Sequence, residues 1–246
     1  MTDSLGWRKK FGVLAPSTNT IVEPDFYSMG LPGVTSHFSR IHIRDQNLAD
    51  DSQMEYLLEQ IRAEITHAID RVKTAEVDHL VMGMSAETFW GGKDGNIDFV
   101  KNLEDYSGLK VSSGAAACEK ALNMLDIKKI GVITPYQAVG DQNVRKFFND
   151  VGVEVVHLKG LRCKTAVDIA HVSESELRKA IWEVNSDVEA IVQVGTNLSM
   201  VRLADEAERW LNKPVIAINA ATWWYALRQN DIQEKIQGCG RLLREL

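Results

Sequence analysis

The chain has 246 residues, of which 45% are hydrophobic, and its 28 basic and 34 acidic side chains give a formal net charge of -6. A chain of this length can bury a full core in one large domain or in two smaller ones. Charges of both signs are spread along the sequence, so no basic surface for nucleic acid or for an anionic membrane is predicted. No apolar run reaches the roughly 18 residues needed to span a bilayer, and no signal segment is indicated, so we expect a cytoplasmic protein.

The cysteines and histidines do not indicate a metal site. Cys118, Cys163 and Cys239 lack CxxC spacing, which favours reduced thiols over disulfides or zinc ligands. Arg162 and Lys164 flank Cys163, and their positive charges predict a lowered thiol pKa there. We therefore expect no metal and, in the absence of nucleotide-binding motifs, no nucleotide.

Apolar runs and helical periods alternate along the first half of the chain. The run Phe11–Ala15 predicts a strand, and the turn Pro16–Thr20 after it carries side chains that cap helices. Tyr56, Leu57 and Ile61 begin an apolar stripe with helical spacing. The remaining elements predicted here are strands at Val34–Ile43, Val77–Met82 and Lys110–Ser113, helices at Ser52–Lys73, Ile97–Tyr106 and Ala115–Leu125, and a loop over 83–96.

The chain then repeats itself, because Lys9–Pro16 (KKFGVLAP) is echoed 119 residues later by Lys128–Pro135 (KKIGVITP). Self-similarity at this scale indicates two copies of one unit. The second copy is predicted to contain strands at Glu154–Leu158, Ala190–Val194 and Pro214–Ile218, and helices at Ser173–Asn185, Met200–Leu211 and Ala221–Gln229.

Alternating strands and helices predict an α/β fold with two Rossmann-like halves, each a parallel sheet flanked by helices. We expect a pseudo-twofold relation between the halves and a site in the cleft between them. The predicted domains are residues 1–114, residues 115–225, and a tail over 226–246 that returns to the first half.

Ligands of open parallel sheets bind at the carboxyl ends of the strands. The distinctive loops of this chain, at 16–20, 83–88, 135–136 and 195–199, all follow predicted strands. They are rich in hydroxyl and amide side chains, and helix starts add backbone N–H groups that bind anions. The pattern indicates a site for a small carboxylate, although any one of these side chains could simply cap a helix.

Several motifs, taken in chain order, resemble the maleate isomerase and arylmalonate decarboxylase family of the aspartate/glutamate racemase superfamily. The matching pieces are Val13–Thr20 with Glu23, Met82–Ser85 with Phe89, Trp90 and Gly91, Thr134–Tyr136, and Gly238–Leu242. The resemblance implies a cofactor-independent enzyme that binds a substrate carboxylate with the first loop and the tyrosine-bearing loop. It also implies one or two cysteines at the facing strand ends, acting as nucleophile or proton shuttle.

The sequence departs from the family at those two positions. The first falls within Gly83-Met84-Ser85 and the second at Gly195 or Thr196, and neither holds a cysteine. Gly83-Met84-Ser85 resembles the Gly-Thr-Ser oxyanion turn of arylmalonate decarboxylases. A hydroxyl does not replace a thiolate without a strong adjacent base.

These considerations give two sets of candidate site residues. The predicted catalytic residues are Glu87, Ser85, Tyr136 and Thr196, and the predicted substrate-binding residues are Pro16, Ser17, Asn19, Gly83, Met84, Gly195 and Asn197. Glu87 is expected to transfer protons in place of the missing thiols, because its apolar neighbours should raise its pKa. A solvated surface carboxylate is the alternative for Glu87.

The leading interpretation is an isomerase or decarboxylase that acts on a small carboxylic or dicarboxylic acid without a cofactor. A hydrolase of a small amide or imide acid and a non-catalytic carboxylate-binding protein are the alternatives. We expect a homo-dimer or homo-tetramer.

Overall fold

The computed structural model describes residues 3–48 and 50–246 and contains two four-stranded parallel sheets. The strand orders are β2-β1-β3-β4 and β6-β5-β7-β8. The strands are β1 (Lys9–Pro16), β2 (Val34–Ile41), β3 (His79–Met82), β4 (Val111–Ser112), β5 (Lys129–Thr134), β6 (Glu154–Gly160), β7 (Ala190–Gln193) and β8 (Val215–Ala217).

Helices follow the strands in both halves. They are α1 (Val22–Ser28), α2 (Asp51–Lys73), α3 (Ala86–Phe89), α4 (Gly92–Ser107), α5 (Gly114–Met124), α6 (Ala138–Asp150), α7 (Glu174–Glu183), α8 (Val201–Leu211), α9 (Ile218–Gln229) and α10 (Arg241–Glu245). A 3-10 turn, Asp168–His171, precedes α7. The two sheets share one strand order, so the predicted repeat and fold class are confirmed.

The sheet register explains where the distinctive loops lie. β1 pairs with β3 in parallel through Phe11 and His79, and β5 pairs with β7 through Ile130 and Ala190. These inner strands are nearly all buried, which accounts for their continuous apolar runs. Because neighbouring parallel strands end on the same side, the loops after β1 and β3 lie next to each other, as do those after β5 and β7.

Three local predictions differ from the structure. The loop expected over 83–96 contains α3 and the start of α4, separated by Gly91 in a left-handed conformation (φ 78°). Helix α6 was not predicted, although Val144, Phe147 and Phe148 show helical spacing and are buried. Tyr56 is exposed, because the buried stripe of α2 runs instead through Met54, Leu57, Leu58 and Ile61.

Helix α9 and the chain beyond it join the two halves. Trp223 is buried in the first half, where its ring lies 5.1 Å from that of Phe11 and its Nε1 donates to the carbonyl of Met29 at 3.0 Å. In the tail, Arg244 pairs with Asp205 of α8 at 2.7 Å. The predicted domain boundaries stay a prediction.

Candidate active site

A cavity of about 60 Å³ lies where the strand-end loops of the two halves meet. Each of the four loops expected to form the site contributes to its wall. The predicted site residues that line it are Pro16, Asn19, Met84, Ser85, Tyr136, Gly195, Thr196 and Asn197. The structure therefore brings most of the candidate residues together from distant parts of the chain, while their chemical roles stay predictions.

Three hydrogen-bond donors converge at one end of the cavity. Ser85 Oγ and Tyr136 Oη are 2.8 Å apart, and the backbone N–H of Thr196 donates to Ser85 Oγ at 3.3 Å. Burial raises the pKa of Tyr136 above its usual range, so the phenol keeps its proton. The three groups are hydrogen-bonded to one another through Ser85 Oγ. If they turned to a ligand oxygen instead, two hydroxyls and one N–H, with the phenol neutral, could stabilise a negative charge that develops there.

The Thr196 side chain joins the two halves of the molecule. Its Oγ1 donates to the carbonyl of Gly83 at 3.1 Å and accepts from Asn19 Nδ2 at 3.0 Å. Asn19 Oδ1 in turn accepts from the backbone N–H groups of Ile21 and Val22, both at 3.0 Å, which caps the start of α1. The Asn19 amide thus holds the loops in register here, and its predicted contact with a ligand carboxylate stays a prediction.

Asn197 makes a second connection between the halves. Its Oδ1 accepts from the backbone N–H of Thr20 at 2.9 Å, and its Nδ2 donates to the carbonyl of Ala166 at 2.9 Å. Asn197 and Asn19 are both buried. Their amides satisfy backbone groups of the loops around the cavity, which ties the loops of the two halves together.

Glycine is required at both facing strand ends. Gly195 has a φ of 109°, and a Cβ there would lie 2.6 Å from Pro135 Cδ. A Cβ on Gly83 would lie 3.0 Å from both the carbonyl oxygen of Leu14 and the Cβ of Ala15. Neither position accepts a side chain without a shift of its neighbours, so Ser85 and Thr196 are the first positions in these loops that present reactive side-chain groups.

Three predicted site residues do not line the cavity: Glu87, Ser17 and Gly83. Glu87 is buried behind its wall, where Oε1 accepts from Arg62 Nε at 2.8 Å and Oε2 has no partner among the described residues. Burial raises the pKa of this carboxyl, and the guanidinium of Arg62 opposes the rise. Ser17 Oγ is paired with the backbone of Ile43 at 3.1 to 3.2 Å. Proton transfer by Glu87 stays a prediction.

Apart from Thr18, the rest of the cavity wall is apolar, a feature that was not predicted from the sequence. Among the described residues, none of those that line the cavity is charged. Its apolar wall is formed by Ile43, Leu48, Met54, Leu57, Ile61, Met84, Ala86, Ala166 and Ile169. The signal that could have revealed it is the buried stripe of α2, whose first turns extend past the sheet. The site thus has one polar end and one apolar end.

No cysteine of the described chain lines the cavity. Cys118 is buried in α5, and burial raises the pKa of its thiol to about 12. The lowered pKa expected for Cys163 is wrong: burial, with Asp168 and Glu176 nearby, raises it to about 11. The positive charge of Arg162 is engaged elsewhere, in an ion pair with Asp141 at 2.5 Å. The thiols are therefore protonated near neutral pH.

A half-buried carboxyl outside the cavity, that of Asp25, supports the Thr196 loop. Asn219 Nδ2 donates to Asp25 Oδ2 at 2.7 Å and to the carbonyl of Thr196 at 3.0 Å. Burial raises the pKa of Asp25 from 3.8 to about 6, and the hydrogen bond from Asn219 only partly opposes it. Asn219 thus holds the carbonyl of Thr196, the residue whose N–H points at Ser85.

Among the described residues, no helix is long and apolar enough to cross a membrane. These residues also contain no group of three or more His, Cys, Asp or Glu side chains placed to hold a metal ion.

Comparisons with known proteins agree on one family. A family model described as arylmalonate decarboxylase matches residues 33–243. The maleate isomerase of Nocardia farcinica is 20% identical over 246 residues, covering 96% of each chain.

Solved structures show the same fold. A mutant of the Nocardia farcinica maleate cis-trans isomerase, with a covalently bound succinylcysteine intermediate, superposes with a TM-score of 0.86 at 20% identity, over 97% of this chain and 99% of the other. A mutant of arylmalonate decarboxylase in its liganded form gives a TM-score of 0.82 at 17% identity, over 97% and 100% of the two chains.

Proposed function

This chain belongs to the arylmalonate decarboxylase family, and from that premise we propose that it is a cofactor-independent isomerase or decarboxylase of a small carboxylic acid that works without the cysteine pair. The observation that carries the proposal is the convergence of Ser85 Oγ, Tyr136 Oη and the Thr196 N–H at one end of an uncharged cavity. Donors placed in this way stabilise the enediolate oxygen that forms when a malonate-type acid loses CO₂ and its remaining carboxyl takes up the electron pair, or when a carboxylic acid loses a proton from its α-carbon.

The proposed decarboxylation needs no covalent intermediate. The bond between the α-carbon and the departing carboxyl breaks, CO₂ leaves, and the electron pair moves into the enediolate held by the three donors. A proton then returns to the α-carbon. The Tyr136 hydroxyl, which lines the cavity, is the nearest candidate donor, and Glu87 is a second candidate that would first have to leave Arg62.

The apolar wall narrows the substrate class. A second carboxylate placed against Leu57, Ile61 and Ile169 would lose its hydration without gaining a charged partner, which is costly. An alkyl or aryl group in the same place gains about 25 cal/mol for each Å² of apolar surface removed from water. We therefore favour an acid that bears an apolar substituent over a linear dicarboxylate such as maleate.

A turnover screen tests this proposal. Purified protein would be incubated with phenylmalonate, an alkylmalonate and maleate, and with the amides and cyclic imides of small diacids, and the products would be followed by NMR. We expect loss of CO₂ or isomerisation with a substituted acid, and little reaction with maleate. Hydrolysis of an amide or imide alone would contradict the proposal.

A non-catalytic carboxylate-binding protein is the second candidate, favoured by one observation: the cavity wall in the described residues holds neither a thiol nor a carboxylate. Saturable binding of these acids without any turnover would establish it.

A further inference from the structure

A second pocket lies between the last residues of β2 and the last turn of α2, and it shares no lining residue with the candidate active site. Strand β2 ends its sheet, so its outer edge is unpaired by any described strand. The pocket, here called the β2 groove, has a volume of about 420 Å³ and is lined by Ser17, Phe38, Ser39, Arg40, His42, Arg71 and Val72.

The charge in the β2 groove is positive and unbalanced. Arg71 forms no ion pair with any described residue, and its Nη2 donates to the carbonyl of Arg40 at 2.9 Å. The guanidinium of Arg40 is paired with Glu23. Among the described residues no acidic side chain lines the groove. Since a guanidinium has five N–H groups, Arg71 retains donors for a further partner.

A hydroxyl in the groove wall is free to bond a ligand. Ser39 lines the groove, and its Oγ makes no hydrogen bond to any described residue. A hydroxyl can both donate to and accept from an oxyanion or its hydration shell. His42 supplies another polar group at the rim.

We propose that the β2 groove binds a small oxyanion, a phosphate or a carboxylate, between Arg71, Ser39 and His42. The planar guanidinium of Arg71 suits two oxygens of either anion. The groove lies behind the loop that follows β1, because Arg40 Nη1 donates to the carbonyl of Asn19 at 2.7 Å while Asn19 lines the active-site cavity. This proposal does not depend on the reaction assigned to that cavity.

Calorimetric titration of the full chain with inorganic phosphate, at constant ionic strength set by chloride, tests the site. We expect saturable binding of one phosphate, weakened roughly 10- to 100-fold by Arg71→Gln, because a hydrogen bond to a charged group is lost. Ser39→Ala should weaken it by less. Arg202→Gln is the matched control, since Arg202 is an exposed helical arginine elsewhere on the molecule, and should leave affinity unchanged.

Amide NMR spectra locate the anion and acetate titration identifies its class. Phosphate-induced shifts at Ser39 and Arg40 that disappear in Arg71→Gln support the proposal. Tighter binding of phosphate than of acetate would indicate a phosphorylated ligand. Tighter binding of acetate would indicate a carboxylate. The proposal is overturned if phosphate and acetate both fail to saturate, if Arg71→Gln binds like wild type, or if the shifts occur at Ser85 and Thr196 instead.

Discussion

The loops after β3 and β7 occupy equivalent places in the two halves, yet they present their hydroxyls differently. Both begin with a glycine that close packing requires, Gly83 and Gly195. The Ser85 hydroxyl is hydrogen-bonded to the Tyr136 hydroxyl and to one backbone N–H. The Thr196 hydroxyl already makes two hydrogen bonds: it donates to the carbonyl of Gly83 and accepts from the side-chain amide of Asn19.

We infer from this difference that the two loops have different roles. Ser85 and Tyr136 can redirect their hydrogen bonds to a ligand without leaving a buried group unpaired, because each then bonds to the ligand in place of the other. Thr196 would have to break two bonds to do the same, so its contribution is its backbone N–H. We propose that the loop of the first half carries the reactive hydroxyl and that the loop of the second half supports it.

Of the changes considered, removal of the Tyr136 hydroxyl is expected to have the largest effect on kcat. We expect Tyr136→Phe to lower kcat by about 10²- to 10³-fold on the best substrate of the screen, since one donor to the developing charge is lost. Tyr27→Phe is the matched control, because Tyr27 is exposed and its hydroxyl donates to Glu23. Equal kcat values for Tyr136→Phe and wild type would show that the Tyr136 hydroxyl has no role in catalysis.

Asp25 supports the second loop through Asn219. Its pKa in the folded state is about 6, above the ordinary value of 3.8. An acid whose pKa is raised by folding contributes stability that is present below the lower value and lost as pH rises through the higher one. Asp25→Asn should therefore raise the free energy of unfolding by about 2 to 3 kcal/mol at pH 7.5 and change it little at pH 4. Urea unfolding of both proteins at the two pH values measures this, and an equal change at both would show that Asp25 does not titrate with folding.

A Glu87 variant tests whether the carboxyl that follows the first loop transfers a proton to the substrate. Glu87→Gln keeps an acceptor for Arg62 but removes ionisation. Since the carboxylate is paired and lies behind the cavity wall, we expect kcat to change by less than about 10-fold, below the range of a positioned acid or base. A loss of about 10² to 10⁴ with unchanged affinity would instead show that Glu87 reaches the substrate and transfers the proton.

The sequence was a good guide to the sheets and to which loops meet. The repeated strand motif and the buried apolar runs were sufficient, because parallel strands force their carboxyl ends together. Partnerships between distant residues were not accessible: the Arg62–Glu87 pair, the bridge from Asp25 through Asn219, and the apolar wall from α2 all depend on tertiary packing. The lowered pKa predicted for Cys163 was wrong for the same reason, because Arg162, its neighbour in sequence, forms an ion pair with Asp141.

The independence of catalysis from thiols is the central claim, and a cysteine-free chain tests it most directly. Cys118→Ala, Cys163→Ala and Cys239→Ala would be combined, folding confirmed by circular dichroism and thermal unfolding, and kcat/KM measured on the best substrate. Replacement is preferable to alkylation because all three thiols are buried. We predict kcat/KM within a few-fold of wild type. A folded variant that has lost about 10³-fold or more, the scale of a catalytic nucleophile, and that regains activity when one cysteine is restored, would contradict the account.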